Sequence, residues 1–392
     1  MVYLNDLGII NALGDDKNSV IGALFKNQTG VTESKNLISG RKTLVGSVKS
    51  NLPLIPSNLS EYDCRNNRML LHACLQIQPT IEQIITKYGQ NRVGIVLGTS
   101  TSGIDNGEKA FIYNEENGHF PEEYSYKQQE TGGISNFLKA YLGLKGVSYT
   151  ISTACSSSGK AFASAKRLIE QNICDAVIVG GCDTLCQLTL NGFDCLESIS
   201  ENVCKPFSID RNGINIGEGA ALFILSKEPS EISLTGVGES SDGYHITAPD
   251  PTGNGARLAM LQALEMAKLS SKDIGYLNLH GTATIKNDEM EREAVLNTFN
   301  NYLLPCSSTK NLTGHTLGAA GATELGLCWL LLSTKYNPNR ILPKQYDTKE
   351  NLIPDMEIIM NSISWTSPYF MSNSFAFGGS NVSVIIGSKQ YV

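Results

Sequence analysis

The chain of 392 residues lacks the features that would tie it to a membrane or to nucleic acid. Its longest apolar run, "LGLCWLLL" at 325–332, falls far short of the roughly 20 residues a membrane-spanning helix needs. Lys and Arg number 31 against 38 Asp and Glu, a net charge of −7. No basic excess exists to neutralise a nucleic-acid backbone, and an acidic partner must find a local basic patch. Among ten cysteines no CxxC pair occurs; they are scattered through apolar segments around Cys74, Cys174, Cys182 and Cys328. That pattern argues against a disulfide framework and suits a reducing cytoplasm. The amino terminus, "MVYLNDLGIINALGDD", has no basic segment ahead of its apolar residues, so no export signal is expected there. Histidines number only five, with no HExxH and no third ligand at a sensible spacing, so no metal is expected.

What the chain does have is an internal repeat. "RVGIVLGTSTSG" (92–103) and "IGYLNLHGTATI" (274–285) both run apolar into a Gly-Thr turn, as buried parallel strands with a loop at the carboxyl end would. The flanking strand-like and helix-like segments follow in the same order, so each half reads βαβαβαββ. Such alternation predicts an α/β protein with a mostly parallel sheet. The border falls at the polar "SKEPSE" (226–231), giving halves of 1–230 and 231–392. The first half is longer by a charged, aromatic insertion at about 104–135, "NGEKAFIYNEENGHFPEEYSYKQQE" at its centre, expected to be a cap or an interface.

In doubly wound folds, ligands sit beyond the carboxyl ends of the strands. Reading those ends gives "TACSSS" with Cys155, "HGTAT" with His280, "STKNLTGH" with Lys310 and His315, and "NSFAFGGSN" with Phe377. A cysteine is usually a small buried hydrophobe. Cys155 is expected at the first turn of a helix, where unpaired N–H groups and the helix dipole favour an anion and lower a thiol pKa, which makes it a candidate nucleophile. His315 is expected at the amino end of the Gly- and Ala-rich helix "TLGAAGATELGL", where the dipole disfavours imidazolium and leaves a neutral ring able to donate from Nε2.

The set "TACSSS", "HGTAT...ND..E", "STKNLTGHTLGAAGATE" and "NSFAFGGSN", in this order along essentially the whole chain, resembles the elongating β-ketoacyl-[acyl carrier protein] synthases of the thiolase-like fold, type I/II. The resemblance implies a layered α-β-α-β-α architecture. It also implies a Cys-His-His site of Cys155, His280 and His315, supported by Lys310 and Glu324. An acyl group would pass to the Cys155 thiolate, and malonyl-carrier protein would then decarboxylate to an enolate held by the two imidazoles. The backbone N–H groups of Cys155 and Phe377 would form the oxyanion hole, with Phe377 and Phe375 as a gate. Thr282 and Thr284 would bind pantetheine, and Thr101 would line the end of the acyl pocket from a second subunit. No metal, nucleotide or redox cofactor is required.

Some positions depart from the family's pattern: Ile285 stands where proline is usual, Ala376 where glycine is usual, and Asn212 where aspartate is common. A thiolase or other coenzyme A-dependent condensing enzyme would carry a second cysteine where Phe377 and "GGSN" stand. A non-catalytic chain-length subunit would lack Cys155. The acyl substrate stays open between bulk fatty acid synthesis and a dedicated polyketide or aryl-polyene pathway. The expected partners are an acidic acyl carrier protein, met by Arg65, Arg68, Lys205 and Arg211, and a second subunit, identical or a cysteine-less relative, paired along the strand "VSYTIST".

Overall fold

"VGIVLG" and "AVIVGGCD" are apolar at nearly every position, and each forms a strand buried on both faces. The computed structural model describes residues 1–34, 37–300, 302–346 and 350–388. Among the described residues one large sheet contains β1 (Val2–Asn11), β2 (Val93–Gly98), β3 (Ser148–Ile151), β4 (Ala176–Asp183) and β5 (Gly219–Ser226). It continues with β6 (Ile232–Ser241), β7 (Ile274–Asn278), β8 (Cys306–Ser307), β9 (Tyr369–Ala376) and β10 (Ser380–Ser388). Their order is β8-β7-β9-β10-β6-β1-β5-β4-β2-β3. Read from either edge the strands succeed one another in equivalent order, and the two five-stranded parts meet through Val2↔Leu234 and Tyr3↔Ser233.

The three outer strands of each part are parallel, whereas the inner pairs are antiparallel. The sequence predicts a mostly parallel sheet, and the mixed sheet corrects it. One cause is local: β9 and β10 are joined by the short turn Phe377–Gly379, and a parallel connection needs a crossover of a dozen residues or more.

Helices α1 (Arg65–Gln76), α2 (Ile104–Asn117), α3 (Ser157–Glu170), α4 (Gln187–Cys195), α5 (Ile285–Phe299) and α6 (Ala320–Leu332) position the site. α6 is apolar but for Thr323 and Glu324 and buries twelve of its thirteen residues, as a helix in a central layer must. With α3 it joins a core cluster that draws on strands of both parts of the sheet. The two helices approach closely because both are glycine where they meet: a Cβ on Gly321 would lie 2.7 Å from the backbone nitrogen of Gly159. α1 covers one outer face, and Asn254–Ala267 with α5 covers the other. Among the described residues no helix is long and apolar enough to cross a membrane.

Candidate active site

Beyond β3 the chain turns sharply at Ala154, whose φ of 50° is a left-handed conformation that residues with a Cβ rarely adopt. Local hydroxyls hold the turn: Ser156 Oγ donates to the Thr153 carbonyl at 2.8 Å and Ser157 Oγ to the Ala154 carbonyl at 2.6 Å. Cys155 is thereby presented just ahead of α3 rather than within its first turn.

His315 follows β8 and lies next to this thiol. Its Nε2 is 3.0 Å from Cys155 Sγ, while its Nδ1 accepts the backbone N–H of Leu317 at 3.2 Å. A neutral imidazole that accepts at one nitrogen carries its proton on the other, so Nε2–H points at the sulfur. The expectation placed His315 at the start of a long helix. It instead precedes a 3-10 turn, Leu317–Ala319, and one amide of that turn sets the tautomer. His280 completes the group after β7, its ring 5.3 Å from that of His315 and nearly perpendicular to it. One donor atom from each of Cys155, His280 and His315 lies within 4.8 Å of the others. As metal ligands these rings would have to offer lone pairs; His315 offers an N–H instead.

The supporting groups are buried and charged. Lys310, 1% exposed, donates from Nζ to the His280 carbonyl and to Glu324 of α6. Glu291 of α5 accepts the backbone N–H groups of His280 and Gly281, each at 2.8 Å. The histidine loop is therefore held from both sides, by a cation on a carbonyl and a carboxyl on two amides. Burial first, and then the Lys310 charge, hold both imidazoles well below the ordinary histidine range. Burial pushes Glu291 up to about 7.

For Cys155 the direction is opposite to the expectation. Burial pushes the thiol up to about 12, the Lys310 charge pulling against it. A helix end contributes up to about 2 kcal/mol to an adjacent anion and a hydrogen bond to a charged group about 1.5–3 kcal/mol, together a drop of at most about 3 or 4 in pKa. These pull the thiol back toward its ordinary range, against the effect of burial. Burial thus favours the uncharged thiol and the uncharged imidazole.

The three groups open into a cavity of about 440 Å³. Thr282 and Thr284 line it, their hydroxyls 3.0 Å apart, as do Phe375 and Phe377. The ring of Phe375 is 6.0 Å from that of His280, and Phe377 packs against Phe193 of α4 at 5.5 Å. Gly378 and Gly379, at φ 81° and 75°, make the turn that follows Phe377. Thr101 is not in the cavity lining. At 1% exposure in the single chain, its N–H and Oγ1 both donate to Asp183 at 2.8 and 2.9 Å, because a buried carboxylate collects donors.

The four expected docking cations each face a carboxylate. Arg65 pairs with Glu218, which is 1% exposed, and also donates to the Val48 carbonyl at 2.9 Å. Arg211 is buried against Asp288 and Glu289. Arg68 pairs with Asp63 and Lys205 with Glu350 nearer the surface. Sequence reasoning passed over Lys286, exposed on the cavity rim and in no ion pair among the described residues. It also gave no role to Asp183 or Glu291. The former is legible as an acid closing a wholly apolar strand, the latter as the second acid of an i,i+3 pair with Asp288 on α5.

Residues 67–230 match the family model for the beta-ketoacyl synthase N-terminal domain, and residues 232–342 that for the beta-ketoacyl synthase C-terminal domain. The whole chain is 29% identical to 99% of the 3-oxoacyl-[acyl-carrier-protein] synthase 1 of Buchnera aphidicola from Acyrthosiphon pisum. It is 30% identical to 99% of the enzyme of the same name from Buchnera aphidicola subsp. Baizongia pistaciae. Among solved structures, a chain of the ketosynthase ApeO in complex with its chain length factor ApeC, from Xenorhabdus doucetiae, is 46% identical with a TM-score of 0.93. That match covers 99% of this chain and 98% of the other. A beta-ketoacyl synthase from Burkholderia phymatum is 26% identical with a TM-score of 0.87, covering 99% of each chain.

Proposed function

The chain belongs to the β-ketoacyl synthase family of thiolase-like condensing enzymes, and from that premise we propose that it is the catalytic subunit of a two-chain ketosynthase that elongates an acyl chain in polyketide or aryl-polyene synthesis. The observation that carries the catalytic part is the His315 Nε2–H held 3.0 Å from Cys155 Sγ by the Leu317 amide on the opposite nitrogen. A ring fixed in that tautomer donates hydrogen bonds to developing negative charge, and does so without reorganising.

Acyl transfer would proceed by attack of Cys155 sulfur on the thioester carbonyl of acyl-pantetheine, the thiol proton leaving with the pantetheine sulfur. The tetrahedral oxyanion would rest on the backbone N–H groups of Cys155 and Phe377. In the second half, the bond from the malonyl α-carbon to its carboxylate breaks and carbon dioxide leaves. The electron pair becomes an enolate, whose oxygen takes hydrogen bonds from His280 and His315. The enolate carbon then attacks the acyl-Cys155 carbonyl and displaces the thiolate. Thr282 and Thr284 would hold the pantetheine arm. Lys310, Glu324 and Glu291 keep the histidine loop in place. Residues 1–230 would thus supply the nucleophile and 231–392 the histidines. Among the described residues Cys155 is the one thiol in the cavity lining, and Phe377 with two glycines stands where a thiolase would be expected to carry its second cysteine.

Two observations support a partner chain. β3 ends the sheet, and its four residues are all half-exposed, an edge that invites pairing. The similarity to a chain of a ketosynthase–chain length factor complex, 46%, exceeds that to the curated single-name synthases above. Docking of an acidic carrier protein would use Lys286 on the rim, with Arg68 and Lys205 further out. The test is to express the chain alone and with a cysteine-less relative, measure mass by light scattering, and assay condensation of malonyl-carrier protein with acyl-carrier protein. Full activity in a stable complex with the relative is expected. A fully active monomer would overturn the two-chain reading, and absence of condensation in every assembly would overturn the catalytic one.

A further inference from the structure

On α2, outside the cavity, the carboxylate of Glu108 accepts two backbone N–H groups of α4, that of Gln187 at 2.9 Å and that of Leu188 at 2.7 Å. α4 has no such cap of its own, since the side chain of its N-cap residue, Cys186, accepts no backbone N–H. Without Glu108, two amides at its start would have no partner from the protein. The helix is otherwise lightly held. Of its nine residues Leu190 alone is buried, with outer ties from Asp194 to Arg41 at 2.8 Å and from Asn191 to the Ile38 N–H at 2.8 Å.

Yet α4 forms one wall of the catalytic cavity. Phe193, on its last turn, packs its ring 5.5 Å from that of Phe377, and Leu196 to Ser198, just after it, line the same space as His280, His315 and Cys155. A helix pinned at one end by a single carboxylate thus sets the position of an aromatic pair beside the reacting groups.

We propose that Glu108 is a positioning residue for the condensation: by capping α4 it holds Phe193 against Phe377, and the closed wall keeps the enolate beside the acyl group on Cys155. The inference rests on the condensing activity proposed above. The enolate has two fates. It forms a carbon–carbon bond to the acyl carbonyl and expels the Cys155 thiolate, or it takes a proton from water and leaves as acetyl-carrier protein. Which fate wins depends on how closely the wall confines the two partners.

The readout is therefore a partition, acetyl-carrier protein released per ketoacyl-carrier protein formed, measured by mass spectrometry of the carrier protein in the assembled enzyme. Glu108→Ala is expected to raise this ratio about fivefold, the factor that follows from losing one helix cap. Its rate of Cys155 acylation should stay within about twofold of the parent. Glu108→Gln keeps one acceptor and is expected to give a smaller rise. Phe193→Ala should raise the ratio at least as far, and the double variant should match Phe193→Ala alone, because both act through one contact. If Glu108→Ala does not fold, Glu108→Gln and Phe193→Ala carry the test. An unchanged ratio in folded Glu108 variants, or additive effects in the double variant, overturns the inference while leaving the condensing activity standing. A parent enzyme that neither decarboxylates nor condenses overturns the activity itself.

Discussion

Leu317 gives its backbone N–H to Nδ1 of His315 at 3.2 Å, and Nε2 of the same ring lies 3.0 Å from the sulfur of Cys155. The amide thereby decides which nitrogen faces the reaction with a proton. Replacing His315 by glutamine keeps an N–H donor on a chain of similar reach, whereas alanine removes it. His315→Ala is expected to slow release of carbon dioxide from malonyl-carrier protein at least about 100-fold, and His315→Gln to lose distinctly less. Equal losses in the two variants would remove hydrogen-bond donation as the role of this ring.

The pH dependence follows from burial. Both catalytic imidazoles are held well below the ordinary histidine range, so they are neutral at and above pH 6.5 and acquire protons only at more acid pH. The groups bind fewer protons folded than unfolded, so their share of stability is complete above the unfolded value and is lost as pH falls toward the folded one. The acid limb of decarboxylation by the enzyme is expected well below 6.5. A limb at 6.5 or above, in a profile of kcat against pH, would contradict neutral buried imidazoles.

The thiol is tested by alkylation. Because burial outweighs the helix end and the imidazole donor, Cys155 is not acidic at rest. Its rate of reaction with iodoacetamide, followed by peptide mapping, should keep rising with pH through 9. A rate that levels off by pH 7 would show a lowered pKa.

Cations near the cavity separate into structural and docking groups. Arg65 neutralises the buried Glu218, so Arg65→Ala should lower Tm by about 2–4 °C and leave the KM for acyl-carrier protein nearly unchanged. Lys286→Glu should do the reverse, raising that KM several-fold while sparing a short acyl-pantetheine and the Tm. A matched loss with both substrates would remove Lys286 from docking.

The Cys-His-His group and its supporting lysine were legible because they break the local pattern. Cys155, His280, His315 and Lys310 each stand among small or hydroxylated residues just after an apolar run, where a core residue would have apolar bulk around it. Glu324 was found through resemblance alone, since an acid inside "GATELGLCWLLL" has no visible partner until Lys310 folds against it. Other features depend on pairings distant in sequence. Arg65 looks like a free surface cation until Glu218, 153 residues away, is placed beneath it. The bond from the Thr101 hydroxyl to Asp183 likewise joins residues 82 positions apart. The expected fall in the Cys155 pKa considered the helix and not the burial, and the antiparallel centre of the sheet is a matter of strand order, which periodicity does not encode.

Division of labour between the thiol and the imidazoles is tested most directly with Cys155→Ala, which removes the sulfur and leaves His280 and His315 untouched. Malonyl-carrier protein is supplied to the folded variant, and release of acetyl-carrier protein is followed alongside transfer of an acyl group to the enzyme. Acyl transfer should vanish, while decarboxylation continues at a rate near that of the parent. A variant that keeps the parent's Tm yet loses decarboxylation as completely as acylation would show that the enolate is not held by the two histidines.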